Sequence, residues 1–151
     1  MRDIVPLTHR AHFDALWQAC ETIDYCEDLP TVFLPGGCPL QQHHRHPAVI
    51  DLGFLLVNAD GAPIVAPPEP SDPARVEATI RGYCRHRTPS DTELAHLADA
   101  IRFRPLVLAC ADFKSALKHG RAPERWPLER VQAADELGER AIAALRARPP
   151  R

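Results

Sequence analysis

Apolar positions set the plan of the chain. Phe13, Leu16, Trp17, Cys20 and Ile23 recur three and four residues apart, the spacing of an amphipathic helix with Thr8 as N-cap and an end near residues 22–25. Ahead of it, Ile4-Val5-Pro6-Leu7 reads as a short edge strand, where a proline need not donate to a ladder. Thr31 to Leu34 reads as another short strand, leading into the turn Pro35-Gly36-Gly37. Ala48 to Val57 is apolar almost throughout. With Asn58-Ala59-Asp60-Gly61 as the loop and Pro63-Ile64-Val65-Ala66 as the return, it predicts a β-hairpin over about 48–66. Gly53 within this run lets a helix or a ligand approach the backbone closely.

After the connector Pro67-Pro68-Glu69-Pro70 the pattern turns helical. Ser71 or Asp72 caps a helix that starts at Pro73 and carries the stripe Val76, Ile80, Tyr83 and Cys84. Ser90-Asp91-Thr92-Glu93 is a capping box opening a second helix with Leu94, Leu97, Ala98 and Ile101. Pro105 opens a third, with Leu106, Ala109, Cys110, Phe113 and Leu117, which Gly120 ends. Pro127 opens a fourth, with Leu128, Val131, Gly138, Ile142 and Leu145. The expected architecture is α+β: an N-terminal helix and a small antiparallel sheet with the hairpin, then a four-helix C-terminal half. Residues 1–151 are expected to form one domain, with a mixed part over 1–66 and a helical part over 71–148 packed on it.

Composition narrows the class. A length of 151 residues with 45% hydrophobic content suffices for a core without metals or disulfides. Five cysteines, an odd number, with no signal-peptide pattern point to reduced thiols and a cytoplasmic protein. No stretch has the roughly 18–20 continuous apolar residues of a membrane span. Residues 1–70 hold three basic and nine acidic side chains, and residues 71–151 hold 15 basic and 11 acidic. That asymmetry describes two differently charged surfaces and is weaker than the clustered basic excess of a nucleic-acid binder. Arg81, Arg85, Arg87, Arg102 and Arg104 sit near helix ends, either as solvated termini or as an anion-binding patch.

The chemistry concentrates between Leu34 and His46, L-P-G-G-C-P-L-Q-Q-H-H-R-H. Cys38, His43, His44 and His46 are a thiol and three imidazoles, the donors that zinc or iron accepts. On an extended segment His44 and His46 project to one side, with His43 on the other. Asp51, Cys38 or Cys26 would complete a ligand set. A different use makes Cys38 a nucleophile with His43 or His44 as base, the glycine pair supplying oxyanion donors. The run from Pro35-Gly36-Gly37 to His44-Arg45-His46-Pro47 resembles the first motif of cupins over about residues 35–51. The resemblance implies a metal held by two histidines and a carboxylate inside a β-barrel. The chain departs from it where the family has a glutamate, offering at best Asp51, and in lacking a second histidine motif; the helices after Ser71 leave too few residues for the barrel.

The fingerprints of dinucleotide, P-loop, hydrolase-elbow and zincin sites are absent from the sequence. Two functions follow as expectations. The first is an accessory or interaction protein that binds a protein partner or a second copy of itself, without membrane or nucleic acid. The second is a transition-metal-binding protein or metal-dependent enzyme using His43, His44 and His46 with Cys38 or Asp51.

Overall fold

The structure, a computed structural model, describes residues 5–23, 29, 31–32, 46–58 and 72–147. Its described part is helical. The described residues form seven α-helices, α1 (Arg10–Thr22), α2 (Ala48–Leu56), α3 (Pro73–Tyr83), α4 (Asp91–Ala95), α5 (Leu97–His119), α6 (Trp126–Gln132) and α7 (Ala134–Arg146). Extended pairing among the described residues is confined to β1 (Thr31–Val32) and β2 (His46–Pro47), antiparallel, with Thr31 opposite Pro47 and Val32 opposite His46. Two residues a side do not make a sheet, and the expected α+β architecture is replaced by a helical one.

The largest correction concerns the hairpin. Its first arm, Ala48–Leu56, is the helix α2, and residues 59–66 of the expected return lie outside the described residues. The sequence AVIDLGFLL is apolar on nearly every side, so its pattern has no period to separate a buried strand from a buried helix. Burial decides between them. Ala48, Val49, Ile50, Leu52, Gly53 and Leu56 are all buried, and a helix enclosed this way satisfies its own backbone groups without needing ladder partners on both edges. Gly53 does permit a close approach, and α5 makes it. A Cβ placed on Gly53 would lie 2.5 Å from the carbonyl carbon and oxygen of Ala100 and 2.8 Å from the nitrogen of Ile101.

Elsewhere the local signals hold in the middle of the chain and fail at helix joints. Asp72 caps α3, its carboxylate accepting from the Ala74 amide at 2.9 Å, and Val76, Ile80 and Cys84 are buried as the stripe requires. The capping box closes at Ser90 and Glu93 in both directions. That box launches only five residues, however, because His96 (φ −98°, ψ 5°) departs from helical geometry. The helix that follows, α5, runs without a break through Pro105, which was expected to start a helix of its own. A mid-helix proline forfeits one backbone hydrogen bond, and here the ring is among the most deeply buried side chains, so packing offsets the loss. Gly120 ends α5 in the left-handed region at φ 63°. The expected fourth helix is likewise split, into α6 and α7 at Ala133. At the N-terminus, Val5 and Pro6 are not in a strand, and Thr8 lies inside a 3-10 turn (Leu7–His9) without capping α1.

The interior has two centres. The larger gathers Val49, Leu52 and Leu56 of α2, Val76 and Ile80 of α3, Leu97, Ala100 and Ile101 of α5, and Ala134 and Ala141 of α7. The smaller joins Leu16 of α1 and Ile23 to Leu106, Ala109 and Phe113 of α5 and Val131 of α6. Arg130 of α6 is buried with its guanidinium donating to the carbonyl of Val57 at 3.1 Å, which ties α6 to the electronegative C-terminal end of α2.

Candidate functional site

Of the residues proposed to carry chemistry, Cys38, His43 and His44 lie outside the described residues, as does Cys26. His46 enters as backbone only, paired across from Val32. Asp51 is the one whose side chain is described. It stands in the first turn of α2, half-buried, with one carboxylate oxygen shielded from solvent. Among the described residues, no three His, Cys, Asp or Glu side chains converge on a point where a metal would sit.

Asp51 belongs to a polar junction of α2, α3 and α4. The Tyr83 hydroxyl donates to the carbonyl of Ala48 at 3.1 Å, bridging the end of α3 to the start of α2. Burial pushes the Tyr83 phenol up to about 12, Glu93 and Asp51 adding to the rise and Arg87 opposing it. Glu93, itself buried, accepts from Arg87 at 2.6 Å with one oxygen and from the Ser90 amide and hydroxyl with the other. Both oxygens are therefore committed, and the phenol stays neutral across the physiological range. A committed carboxylate and a high-pKa phenol make poor acid–base catalysts at neutral pH. The junction fixes the angle between helices and holds the start of α2 in place.

Of the five arginines expected near helix ends, Arg81, Arg87, Arg102 and Arg104 are engaged within the fold. Arg81 pairs with Glu77 in its own helix, Arg87 with Glu93, and Arg102 bridges Asp99 to Asp135 of α7. Arg104 lies over the Phe54 ring, 5.7 Å from its centroid. Each of these four has a partner inside the fold. His12, at the other end of the molecule, stacks on Phe113 with ring centroids 5.7 Å apart and planes within 2°. Burial lowers its pKa, and Asp112 opposes the shift, which suits a neutral, packed imidazole.

A concave surface does exist, between α3 and α7. It is a groove of about 660 Å³ floored by Val76, Ile80, Ala143 and Ala144 and bounded by Pro73 and Ala147. Arg81, Arg140 and one carboxylate, Glu77, complete its lining. The volume falls in the ordinary range of binding pockets, about 300–1,000 Å³, and its two guanidinium edges are paired with carboxylates, Arg81 with Glu77 and Arg140 with Glu136. Comparison of the chain with protein-family models, curated proteins and solved structures yields no match.

Sequence reasoning missed this groove because its two walls are the outer sides of helices some 65 residues apart, and only their packing makes a concavity. The signal that was present is small: the alanines at 143, 144 and 147 leave one side of α7 without bulk. A second omission is the proximity of Cys20 on α1 and Cys110 on α5, whose sulfurs are 3.9 Å apart. Cys20, a member of the apolar stripe of α1, is half-buried beside a thiol 90 positions away.

Among the described residues no helix is long and apolar enough to cross a membrane.

Proposed function

We propose that this chain is an accessory protein that works by binding a protein partner, and that the groove between α3 and α7 receives an apolar helix of that partner flanked by carboxylates. The groove is the observation that carries the reading: apolar along its floor, with two guanidinium groups and a single carboxylate in its lining. An apolar helix seated in such a groove buries its anchors against the alanines, Val76 and Ile80, and its acidic flanks exchange with Glu77 and Glu136 for Arg81 and Arg140. The cytoplasm is the compartment we assign, on the odd number of cysteines.

Ala143 gives the test. It is exposed, lines the groove and carries only a methyl group, so Ala143→Glu adds a like charge against the acidic helix with little effect on folding. The wild-type chain is expected to retain one stoichiometric partner from native cells, and Ala143→Glu to lose it while keeping the wild-type melting curve. Equal retention by both, or a wild-type chain that stays a monomer by light scattering and retains nothing, overturns the reading. A second copy of the chain in the groove would show as a dimer that Ala143→Glu dissociates, replacing the heterologous partner.

Metal binding by His43, His44 and His46 with Cys38 or Asp51 is the second reading. One fact of the fold favours it: His46 immediately precedes the Pro47 cap of α2, and Asp51 follows within the first turn, so the backbone holds both near one helix start. Zinc or iron found by elemental analysis at one per chain, and lost in His44→Ala with His46→Ala, would support it; less than about a tenth of a metal per chain would rule it out.

A further inference from the structure

We propose that Cys20 and Cys110 form a reversible oxidation site, a dithiol that exchanges with low-molecular-weight disulfides and, when closed, staples α1 to α5. Their sulfurs are 3.9 Å apart, in van der Waals contact, and rotation of the two side chains brings them toward the roughly 2.05 Å of a bond. Both can be reached from solvent: Cys110 is exposed, Cys20 is half-buried, and Trp17, one turn before Cys20, is itself partly exposed. Cys84, the other described cysteine, is buried in the main core and takes no part.

The position gives the bond a structural effect. Helix α1 rests on the smaller of the two hydrophobic centres, to which it contributes Leu16 as its single buried side chain. Phe13 and His12 add ring contacts to Phe113, all on the α1–α5 seam that the thiols share. A covalent link there would hold α1 on α5 whenever the apolar contacts loosen.

The chemistry balances without a metal. A thiolate of the pair attacks one sulfur of a small disulfide, forming a protein mixed disulfide and releasing the first small thiol. The second thiolate then attacks the protein sulfur of that mixed disulfide, the Cys20–Cys110 bond forms, and the second small thiol leaves. Two electrons pass from the protein to the small disulfide, and the two protons end on the released thiols. Burial and the adjacent Cys20 raise the Cys110 thiol to about 11, so its thiolate is scarce near neutrality.

The full-length chain equilibrated in glutathione buffers of increasing disulfide fraction, trapped by alkylation and mapped by mass spectrometry, tests the proposal. The expected result is a linked pair of peptides carrying residues 20 and 110, lighter by two hydrogen atoms and separated again by a reductant. It should be absent from both Cys20→Ser and Cys110→Ser. Phenylarsine oxide supplies a readout independent of redox state: it bridges paired thiols, so one arsenic is expected on this pair in the wild type and none there in either variant. The proposal is overturned if both thiols remain alkylatable in the fully oxidising buffer, or if oxidation joins either one to Cys26, Cys38 or Cys84. The wild-type map decides on its own where a variant does not fold.

Discussion

Replacing Gly53 by alanine puts a methyl group where α2 and α5 meet. The added Cβ would sit 2.5 Å from the carbonyl carbon and oxygen of Ala100 and 2.8 Å from the nitrogen of Ile101, whereas an ordinary contact begins at 3.4 Å. All three neighbours are backbone atoms of a long helix, so none can swing aside, and the two helices must part by roughly 0.9 Å. A gap of about that size forfeits a quarter to a half of the dispersion energy of the atoms facing it. The seam carries Val49, Leu52 and Leu56 on one side and Leu97, Ala100 and Ile101 on the other, which puts the cost near the upper end of overpacking, about 3 kcal/mol. Alanine recovers about 1 kcal/mol of helix propensity. The net loss is about 2 kcal/mol, a fall of about 4–8 °C in Tm for a chain of this size. Gly82 is the control, since nothing lies within 4 Å of a Cβ built there. Gly82→Ala should therefore gain about 0.5–1 kcal/mol from the same propensity. Equilibrium urea unfolding followed by far-ultraviolet circular dichroism measures both. A Gly53→Ala variant at least as stable as wild type, or the two variants shifting in the same direction, would refute the packing argument.

Two further outcomes follow from the buried polar groups. Arg130→Ala removes the donor to Val57 at the end of α2 and empties the space of a buried side chain; denaturant unfolding should show a loss of about 3 kcal/mol, and a loss below about 1 kcal/mol would mean that the link is dispensable. The folded Tyr83 phenol lies at about 12, above its ordinary value of 10.0. Its neutral form is thus favoured by the fold, and this contribution to stability is complete below pH 10 and is lost as pH rises towards 12. An ultraviolet phenolate titration of the folded chain should contain one ionisation near that value, which Tyr83→Phe removes; two tyrosines both titrating near their ordinary value would contradict it.

Features set by neighbours in sequence could be read from it. The caps at Asp72 and Ser90, the stripe of α3 and the glycine stop at 120 depend on residues within one turn of each other, and they stand where the spacing places them. The run from Ala48 lacks a readable period for a physical reason: with apolar side chains on nearly every side, helix and strand present the same pattern, and it is enclosure among other helices, with α5 against Gly53, that separates the two. Pro105 misled because a proline is read as a local cost, while its deep burial is a tertiary gain. The groove and the thiol pair were invisible for a related reason. Each joins residues more than 60 positions apart, and no spacing rule reaches that far.

Helix α5 serves both hydrophobic centres, Leu97, Ala100 and Ile101 belonging to one and Leu106, Ala109 and Phe113 to the other, with Pro105 between them. Such an arrangement divides the molecule into two cooperative units of unequal depth. In hydrogen exchange the amides of α1 are expected to open to deuterium through a partial opening that leaves α2 and α3 shut, and those of α2 to exchange only when the whole chain unfolds. Protection along α5 itself then falls in a step near Pro105, and the boundary between a durable half and a yielding half runs through the middle of one continuous helix.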